Sequence, residues 1–431
     1  MEIKMELTPE QQEILNGSEG ETMAKVFETL VRYGEIFGAT KMVPVTSRYG
    51  HLVLSFGAFF LGAEFDLYQK LIDEGCLSKQ KFTVDPRPYD PKVPQNAIEK
   101  LSTKVIYGQQ RRYDRELKKL GILNEDAYTC TCYLPEVGNT PNEGEVLSWA
   151  ESSAVVYANS VLGARCNRKS GVLELFGSIA GYVPYFGLLM DENQKADWVI
   201  ELRTTKKPDA QLLGSAIGMK VMEDVPYVIG LDQYLGNDLN EEAKTYLKDF
   251  GAATASNGAV GLYHIDGLTP EAKRLGRDLI KPDAKTYVID DAELQRVKGN
   301  YPVIWKNPNA KPEMCFLGCP HMTKQQLIDW TEKLEAGLKA SGRKKVSVPT
   351  VFTTSMPVKK AFEETEYAKK LKKMGVVVSF ICPLMYMDNP LNARKNVITS
   401  SNKLRTYTTS RFYSNDEILD ILTKGGGLNA V

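Results

Sequence analysis

Charge of one sign is what this chain of 431 residues lacks most plainly. Its 54 Lys and Arg stand against 54 Asp and Glu, a formal net charge of zero. A nucleic-acid partner is not expected, because neutralising phosphates needs a basic excess. The short basic runs Arg343–Lys345 and Lys369–Lys373 read instead as solvated helix faces. Long apolar runs are lacking too. The most apolar stretch, Leu52 to Leu61, is interrupted by Gly57 and falls far short of the ~20 residues of a membrane span, so no membrane is expected. With three histidines, a His-rich metal site is excluded. There is no CxxC pair, Walker loop, dinucleotide fingerprint or nucleophile elbow, and no fixed-period repeat or low-complexity linker. No apolar signal core precedes the first helix, for which Thr8 is the cap, Pro9 the opening residue and Gly17 the stop. Seven cysteines in such a chain read as cytoplasmic thiols, some of them metal ligands, rather than as a disulfide framework.

What is present is an ordinary globular composition, 43% hydrophobic and 25% charged, with length enough for two or three subdomains. From Asp197 onward, short apolar runs alternate with amphipathic stretches. Strands are expected at Trp198–Leu202, Val225–Gly230, Ala259–His264, Thr286–Ile289, Met314–Leu317, Val346–Phe352, Val376–Ile381 and Val397–Thr399. Helices are expected at Ala210–Val221, Glu241–Gly251, from Thr269, at Asp291–Val297, Thr323–Gly337 and Pro357–Met374. The first half is less regular, with helices at Met23–Phe37 and Gly57–Gly75 and a short strand at Met42–Val45. The pattern predicts an α/β protein of several mostly parallel sheets flanked by helices, with subdomains around a central cleft. Lobes over residues 1–205 and 206–431 follow. In such sheets ligands bind at the carboxyl ends of strands.

Three cysteines occupy such positions. Cys130 follows the run Ala127–Thr129, Cys319 sits in Gly318-Cys319-Pro320-His321 directly after a strand, and Cys382 sits in Ile381-Cys382-Pro383 at another strand end. Thiolates delivered singly from strand ends can converge on an iron–sulfur cluster. Structural core thiols explain the same spacing. A Cys–His nucleophile, Cys319 with His321 or Cys382 with His264, is the rival chemistry, without a local motif to support it.

The block from Trp149 through Glu151-Ser152-Ser153-Ala154-Val155-Val156-Tyr157-Ala158-Asn159-Ser160-Val161-Leu162-Gly163-Ala164-Arg165 to Arg168 resembles the large subunit of the aconitase X family. So do Gly251 to Ala272, the Gly318–His321 segment and Thr399–Lys403. That family includes cis-3-hydroxy-L-proline dehydratase and phosphomevalonate dehydratase. The resemblance implies an aconitase-like fold and an iron–sulfur centre on Cys130, Cys319 and Cys382. A four-iron cluster comes first, a two-iron cluster or a single iron being the alternatives. Three thiolates leave one iron free to act as a Lewis acid on a substrate hydroxyl. The family's proton-abstracting serine lies on a swivelling domain. No such domain is legible here, so a separate small subunit is implied.

The resemblance gives catalytic roles to Glu151, Ser152 and Lys403. It gives substrate contacts to Ser47, His51, Ser55, Asp85, Pro86, Ser153, Arg165 and Asn167. Read without it, Glu151 to Ser153 are a helix cap, Lys403 is a surface lysine, Arg165 and Asn167 brace a loop, and Asp85-Pro86 is a turn pair. Two segments depart from the family text. Thr46-Ser47-Arg48-Tyr49-Gly50-His51 replaces Ser-Ala-His or Ser-Ala-Gln, and Asp85 replaces an amide. A carboxylate at 85 would attract an ammonium and repel a phosphate. The expected function is therefore a hydro-lyase large subunit acting on a small hydroxy acid, cis-3-hydroxy-L-proline first. Phosphomevalonate dehydratase and a noncatalytic iron-binding protein are the alternatives.

Overall fold

The computed structural model of the chain describes residues 3–168 and 171–425. The first part of the chain is helical around two small sheets built from β1 (Met42–Pro44), β2 (Tyr49–Leu52), β3 (Lys81–Val84) and β4 (Tyr182–Pro184). β1 pairs antiparallel with β4, and β2 pairs parallel with β3. Helix Pro9–Leu15 starts as its sequence dictates: Thr8 accepts from Gln11 N, and the Gln11 side chain accepts from Thr8 N. The helix expected from Gly57 begins only at Gly62. Phe56 and Gly57 take left-handed φ of +53° and +75°, which turns the chain before a helix can start.

The second part of the chain builds one larger sheet (the second sheet, after the two small ones of the first part) from β5 (Ala196–Arg203), β6 (Pro226–Ile229), β7 (His264–Ile265) and β8 (Ile280–Asp290), all parallel in the order β7-β6-β5-β8. The expected lobe boundary at residue 205 falls inside this sheet, just after β5. The strand expected over residues 259–264 shrinks to two residues. The preceding helix runs on to Gly258, and Ala259 serves as its left-handed cap.

The third sheet contains β9 (Met314–Leu317), β10 (Thr350–Thr353), β11 (Val376–Ser379), β12 (Val397–Thr399) and β13 (Arg411–Phe412), again all parallel. Its order is β11-β10-β9-β12-β13. Every residue of β9, β10 and β12 is buried, as continuous apolar runs covered on both faces require. The helix expected over residues 357–374 is two, Met356–Glu363 and Glu366–Lys373, broken where Thr365 turns extended and its hydroxyl donates to Phe362 O. The expected architecture of parallel sheets flanked by helices is what the chain adopts, with one antiparallel pair added.

Candidate functional site

In the third sheet the strand order reverses between β9 and β12, which opens a crevice at their carboxyl ends. Cys319 leaves β9 through Gly318, where only glycine fits. Its φ is +104°, and a Cβ there would lie 2.3 Å from Thr353 O. Cys382 follows β11, and directly after β12 Ser401 caps the helix Asn402–Tyr407, which carries Lys403. Cys130 arrives from the first part of the chain, where Tyr128 bridges to Val84 of β3.

His321 ties the three cysteine turns together. Its backbone N–H points at Cys130 Sγ at 3.4 Å. Its Nδ1 lies 3.0 Å from the hydroxyl of Thr129, beside Cys130, and its Nε2 lies 3.1 Å from the carbonyl of Ile381, beside Cys382. Both ring nitrogens are therefore engaged. Burial pushes the imidazole pKa down to about 4, so the neutral ring is the form that makes these contacts. This overturns the Cys319–His321 nucleophile pair, because the ring has no free nitrogen to activate a thiol. The Cys382–His264 pair fails as well: His264 lies on β7 and Nε2 binds Gln194 O at 2.7 Å. All seven cysteines are free thiols.

Burial raises the pKa of Cys130, Cys319 and Cys382. The three act on one another and on Lys403: Cys319 influences Cys130 and Cys382, and both Cys319 and Cys130 support the Lys403 charge. The chemistry of this donor set fits an iron–sulfur cluster, since the three thiols are unpaired, stand at turns tied together by His321, and one of them already accepts from a backbone donor. Among the described residues no three His, Cys, Asp or Glu side chains gather closely enough to hold one metal ion.

Above the thiols, Lys403 and Glu151 form a buried ion pair across 252 residues of sequence. Glu151 caps helix Ser152–Ser160, accepting from Ala154 N at 2.7 Å and from Ser153 Oγ at 2.5 Å. Lys403 Nζ also reaches Ser152 Oγ at 3.4 Å. Burial pushes the Glu151 pKa up, and the charge and hydrogen bonds of Lys403, with Ser153 assisting, outweigh it, so the carboxyl is held below its usual value. Burial likewise opposes the Lys403 ammonium, and Glu151 and the thiols overcome it, so its pKa is raised. The pair is an ionised lysine and carboxylate locked together.

A cleft of about 520 Å³ opens beside this pair, lined among others by Val53, Asp85, Ser152, Arg168, Met385 and Lys403. Asp85 extends from β3 with its Oδ1 buried and without a hydrogen-bond partner. Burial and then the Glu151 charge hold its carboxyl well above the usual range, against the pull of Lys403. Pro86 is buried behind it. His51, on β2, is fully buried with Nδ1 2.9 Å from Thr83 Oγ1, its ring edge-on to Trp149, and Nε2 without a partner. Burial lowers its pKa to about 4.

Other expected contacts stand elsewhere. Ser47 lines a separate pocket of about 650 Å³ with Arg48, Lys79 and Lys81, at the amino ends of β2 and β3. Ser55 is buried beside Tyr68. Ser153 spends its hydroxyl on Glu151. Arg165 reaches Asp191 at 3.2 Å and Glu271 at 3.4 Å. Asn167 holds Phe186 O and Leu188 N, both at 2.8 Å. The last two make bracing contacts, while one Arg165 guanidinium nitrogen is buried without a hydrogen-bond partner. Sequence reasoning missed Arg168, exposed in the cleft, although it closes the long block. It also missed His321 as a tie, although the residue stands two places after Cys319.

Known proteins resemble this chain along its whole length. Family models described as aconitase X first, second and third domain match residues 4–192, 188–299 and 312–417. The phosphomevalonate dehydratase large subunit of Thermococcus kodakarensis is 29% identical over 415 residues, 95% of this chain and 96% of that one. Its counterpart from Methanocaldococcus jannaschii is 31% identical over 427 residues, 94% and 96%. The cis-3-hydroxy-L-proline dehydratase of Hypocrea jecorina is 27% identical over 95% of this chain but 67% of its own length. The crystal structure of holo-form aconitase X from Thermococcus kodakaraensis superposes with a TM-score of 0.78 at 26% identity, covering 97% of this chain and 100% of that one.

Proposed function

Because this chain belongs to the aconitase X family and is a dehydratase (a hydro-lyase) of that family, we propose that it is the large subunit of an enzyme that removes water from a phosphorylated hydroxy acid of the 5-phosphomevalonate type. One observation carries the site: Lys403, held by Glu151 and close enough to Cys319 and Cys130 to feel their charge, follows β12 where the third sheet's strand order reverses. A cluster bound by Cys130, Cys319 and Cys382 would supply the Lewis acid that makes hydroxide a better leaving group. The chain's own residues do the rest of the binding. Lys403 and Arg168 present positive charge to the acid groups of the substrate, Ser152 offers a hydroxyl beside Lys403, and Glu151 fixes the ammonium in place. As water leaves, the C–O bond breaks, the neighbouring carbon gives up its proton, and a C=C bond forms. The proton acceptor is assigned to the swivel-domain serine of a small subunit, as the family resemblance implies.

The phosphorylated substrate takes precedence over cis-3-hydroxy-L-proline, which the sequence placed first. The phosphomevalonate dehydratase large subunits match end to end, whereas the hydroxyproline dehydratase from Hypocrea jecorina runs well beyond the match. An ionised Asp85 would repel a phosphate. Burial raises that carboxyl's pKa and weakens its negative charge, so the objection loses force. The dehydratase relatives also set aside the noncatalytic alternative.

The test is anaerobic purification with the small subunit, with kcat/KM measured on 5-phosphomevalonate and on cis-3-hydroxy-L-proline. The phosphorylated acid should be preferred. Turnover of the imino acid alone would overturn the substrate while leaving the dehydratase. In parallel, Cys319→Ser should lose most bound iron and sulfide and Cys76→Ser should keep it; full iron retention by Cys319→Ser rules out the ligand set.

A further inference from the structure

The helix Ala97–Ile106 is built inside out. Its polar side faces the protein: Glu99 and Thr103 are buried, Lys395 pairs with Glu99 at 2.6 Å, and Asn389 donates to Thr103 Oγ1 at 2.9 Å. Its apolar side faces solvent. Ile98, Leu101 and Val105 are 70%, 64% and 58% exposed, and their spacing puts them on one face. Phe59 N donates to Ile106 O at 2.9 Å, which brings the exposed rings of Phe59 and Phe60 to the end of that stripe. A surface helix ordinarily turns its apolar stripe inward, and a contiguous exposed patch of this kind marks a protein interface.

The surroundings narrow the occupant. A cationic rim flanks the patch along the chain: Lys104 on this helix and Arg111 and Arg115 on the next, Gln110–Leu120, are exposed, Lys100 is half-buried, and none of the four is in an ion pair among the described residues. A partner with carboxylates around an apolar contact is complementary to that rim. The patch also adjoins the cleft. Tyr107, directly after the helix, donates to the carbonyl of the cleft residue Met385 at 3.1 Å. The segment carrying Phe59 and Phe60 begins at the cleft residue Val53. A body seated here stands at the cleft margin, where a second polypeptide has to reach to contribute a base. The relatives named as large subunits imply such a polypeptide, and about a third of the Hypocrea jecorina dehydratase lies outside its match to this chain.

We propose that this cation-rimmed apolar face of helix Ala97–Ile106, with Phe59 and Phe60, is where the swivel-domain small subunit docks, through an apolar contact ringed by carboxylates. The inference rests on the large-subunit reading above. The experiment is co-expression with the small subunit, with complex mass read by light scattering and Kd by calorimetry at two salt concentrations. Leu101→Glu should raise Kd at least ~30-fold, as loss of an interface anchor does, and leave the melting temperature of the lone chain unchanged. Ile36→Glu, at an equally exposed site on helix Glu21–Ile36, should bind as wild type does. Binding should weaken as salt rises. Wild-type affinity in both Leu101→Glu and the double variant Ile98→Glu/Val105→Glu would overturn the docking face and leave the large-subunit reading intact. A wild-type chain that binds no small subunit, or dehydrates alone, would overturn that reading and the docking face with it. A concentration-dependent dimer of the lone chain that Leu101→Glu abolishes would reassign the face to a second copy.

Discussion

The second and third sheets share one plan and differ in use. Both are parallel and flanked by helices, and both reverse their strand order, at β5/β8 in the second and β9/β12 in the third. Each reversal creates a crevice at the carboxyl ends. At β9/β12 the crevice receives Cys319 and Lys403. At β5/β8 it is closed by local contacts: Thr205 donates to Asp291 Oδ2 from both its backbone, at 3.1 Å, and its hydroxyl, at 2.6 Å. None of the cleft-lining residues comes from the second sheet. That sheet contributes a brace instead. Gln211, on its helix Ala210–Val221, accepts from Asn402 N at 2.9 Å, takes the Asn402 amide on its own carbonyl at 2.9 Å and reaches Cys319 O at 3.4 Å. Lys248, on helix Glu241–Gly258, donates to His321 O at 3.2 Å. A topological switch point offers a site, and the residues that arrive there decide whether one forms.

The largest effect should come from the third sheet. Lys403→Gln leaves Glu151 buried without its cation, which should cost about 3–5 kcal/mol of stability and lower kcat ~100-fold or more. The pH dependence should change sign. In the wild type Glu151 is held below its unfolded value, so the pair stabilises the fold above about pH 4.3 and that contribution fades as pH falls through the folded pKa. In the variant, burial acts on Glu151 against only the lesser pull of the Ser153 and Ala154 hydrogen bonds and raises its pKa, so its contribution is present below about pH 4.3 and lost as pH rises. Asp85, whose pKa is raised in the wild type as well, contributes with that second sign, so the difference between the two chains is the quantity to read. Urea unfolding of both from pH 4 to 8 measures it, and parallel curves would mean that Lys403 does not hold Glu151.

A smaller effect should come from the brace. Gln211→Ala removes the side-chain contacts to Asn402 N and Cys319 O, leaves the one on its own carbonyl, and should cost about 1–3 kcal/mol. Part of the bound iron should be lost on gel filtration, with KM little changed. Full iron retention with unaltered stability would make the second sheet a neighbour and not a support. The smallest effect belongs to the unused ends of that sheet. Arg203→Ala, at an exposed position of β5, should change stability by no more than ~0.5 kcal/mol and leave kcat/KM alone. A marked loss of activity would show that the second sheet reaches the chemistry by a route other than its helices.

Local signals in the sequence were enough for the elements and for the turns that carry thiols. Apolar runs bounded by turn residues located Met314–Leu317 and Val397–Thr399, and the amphipathic pattern of Ala210–Val221 located that helix. The cap at Glu151 was legible for the same reason, since it is a contact over three residues. Ser47, Ser55, Arg165 and Asn167 were placed near the substrate by family text alone; in the fold Ser47 donates to Tyr49 O, Ser55 is buried beside Tyr68, Arg165 pairs with Glu271 and Asn167 donates to Phe186 O.

What the sequence by itself determined is the α/β build, the three cysteines at chain turns and the family to which the chain belongs. Periodicity, capping and motif are all properties of residues close together in the chain. Tertiary structure alone decided that Lys403 meets Glu151, that His321 ties the turns of Cys130 and Cys382, and that helix Ala97–Ile106 turns its apolar face outward. Those outcomes follow from the order in which strands pair and from which surface is already occupied. Residues 252 positions apart become neighbours only when β12 settles beside β9, a choice that no local window of sequence records.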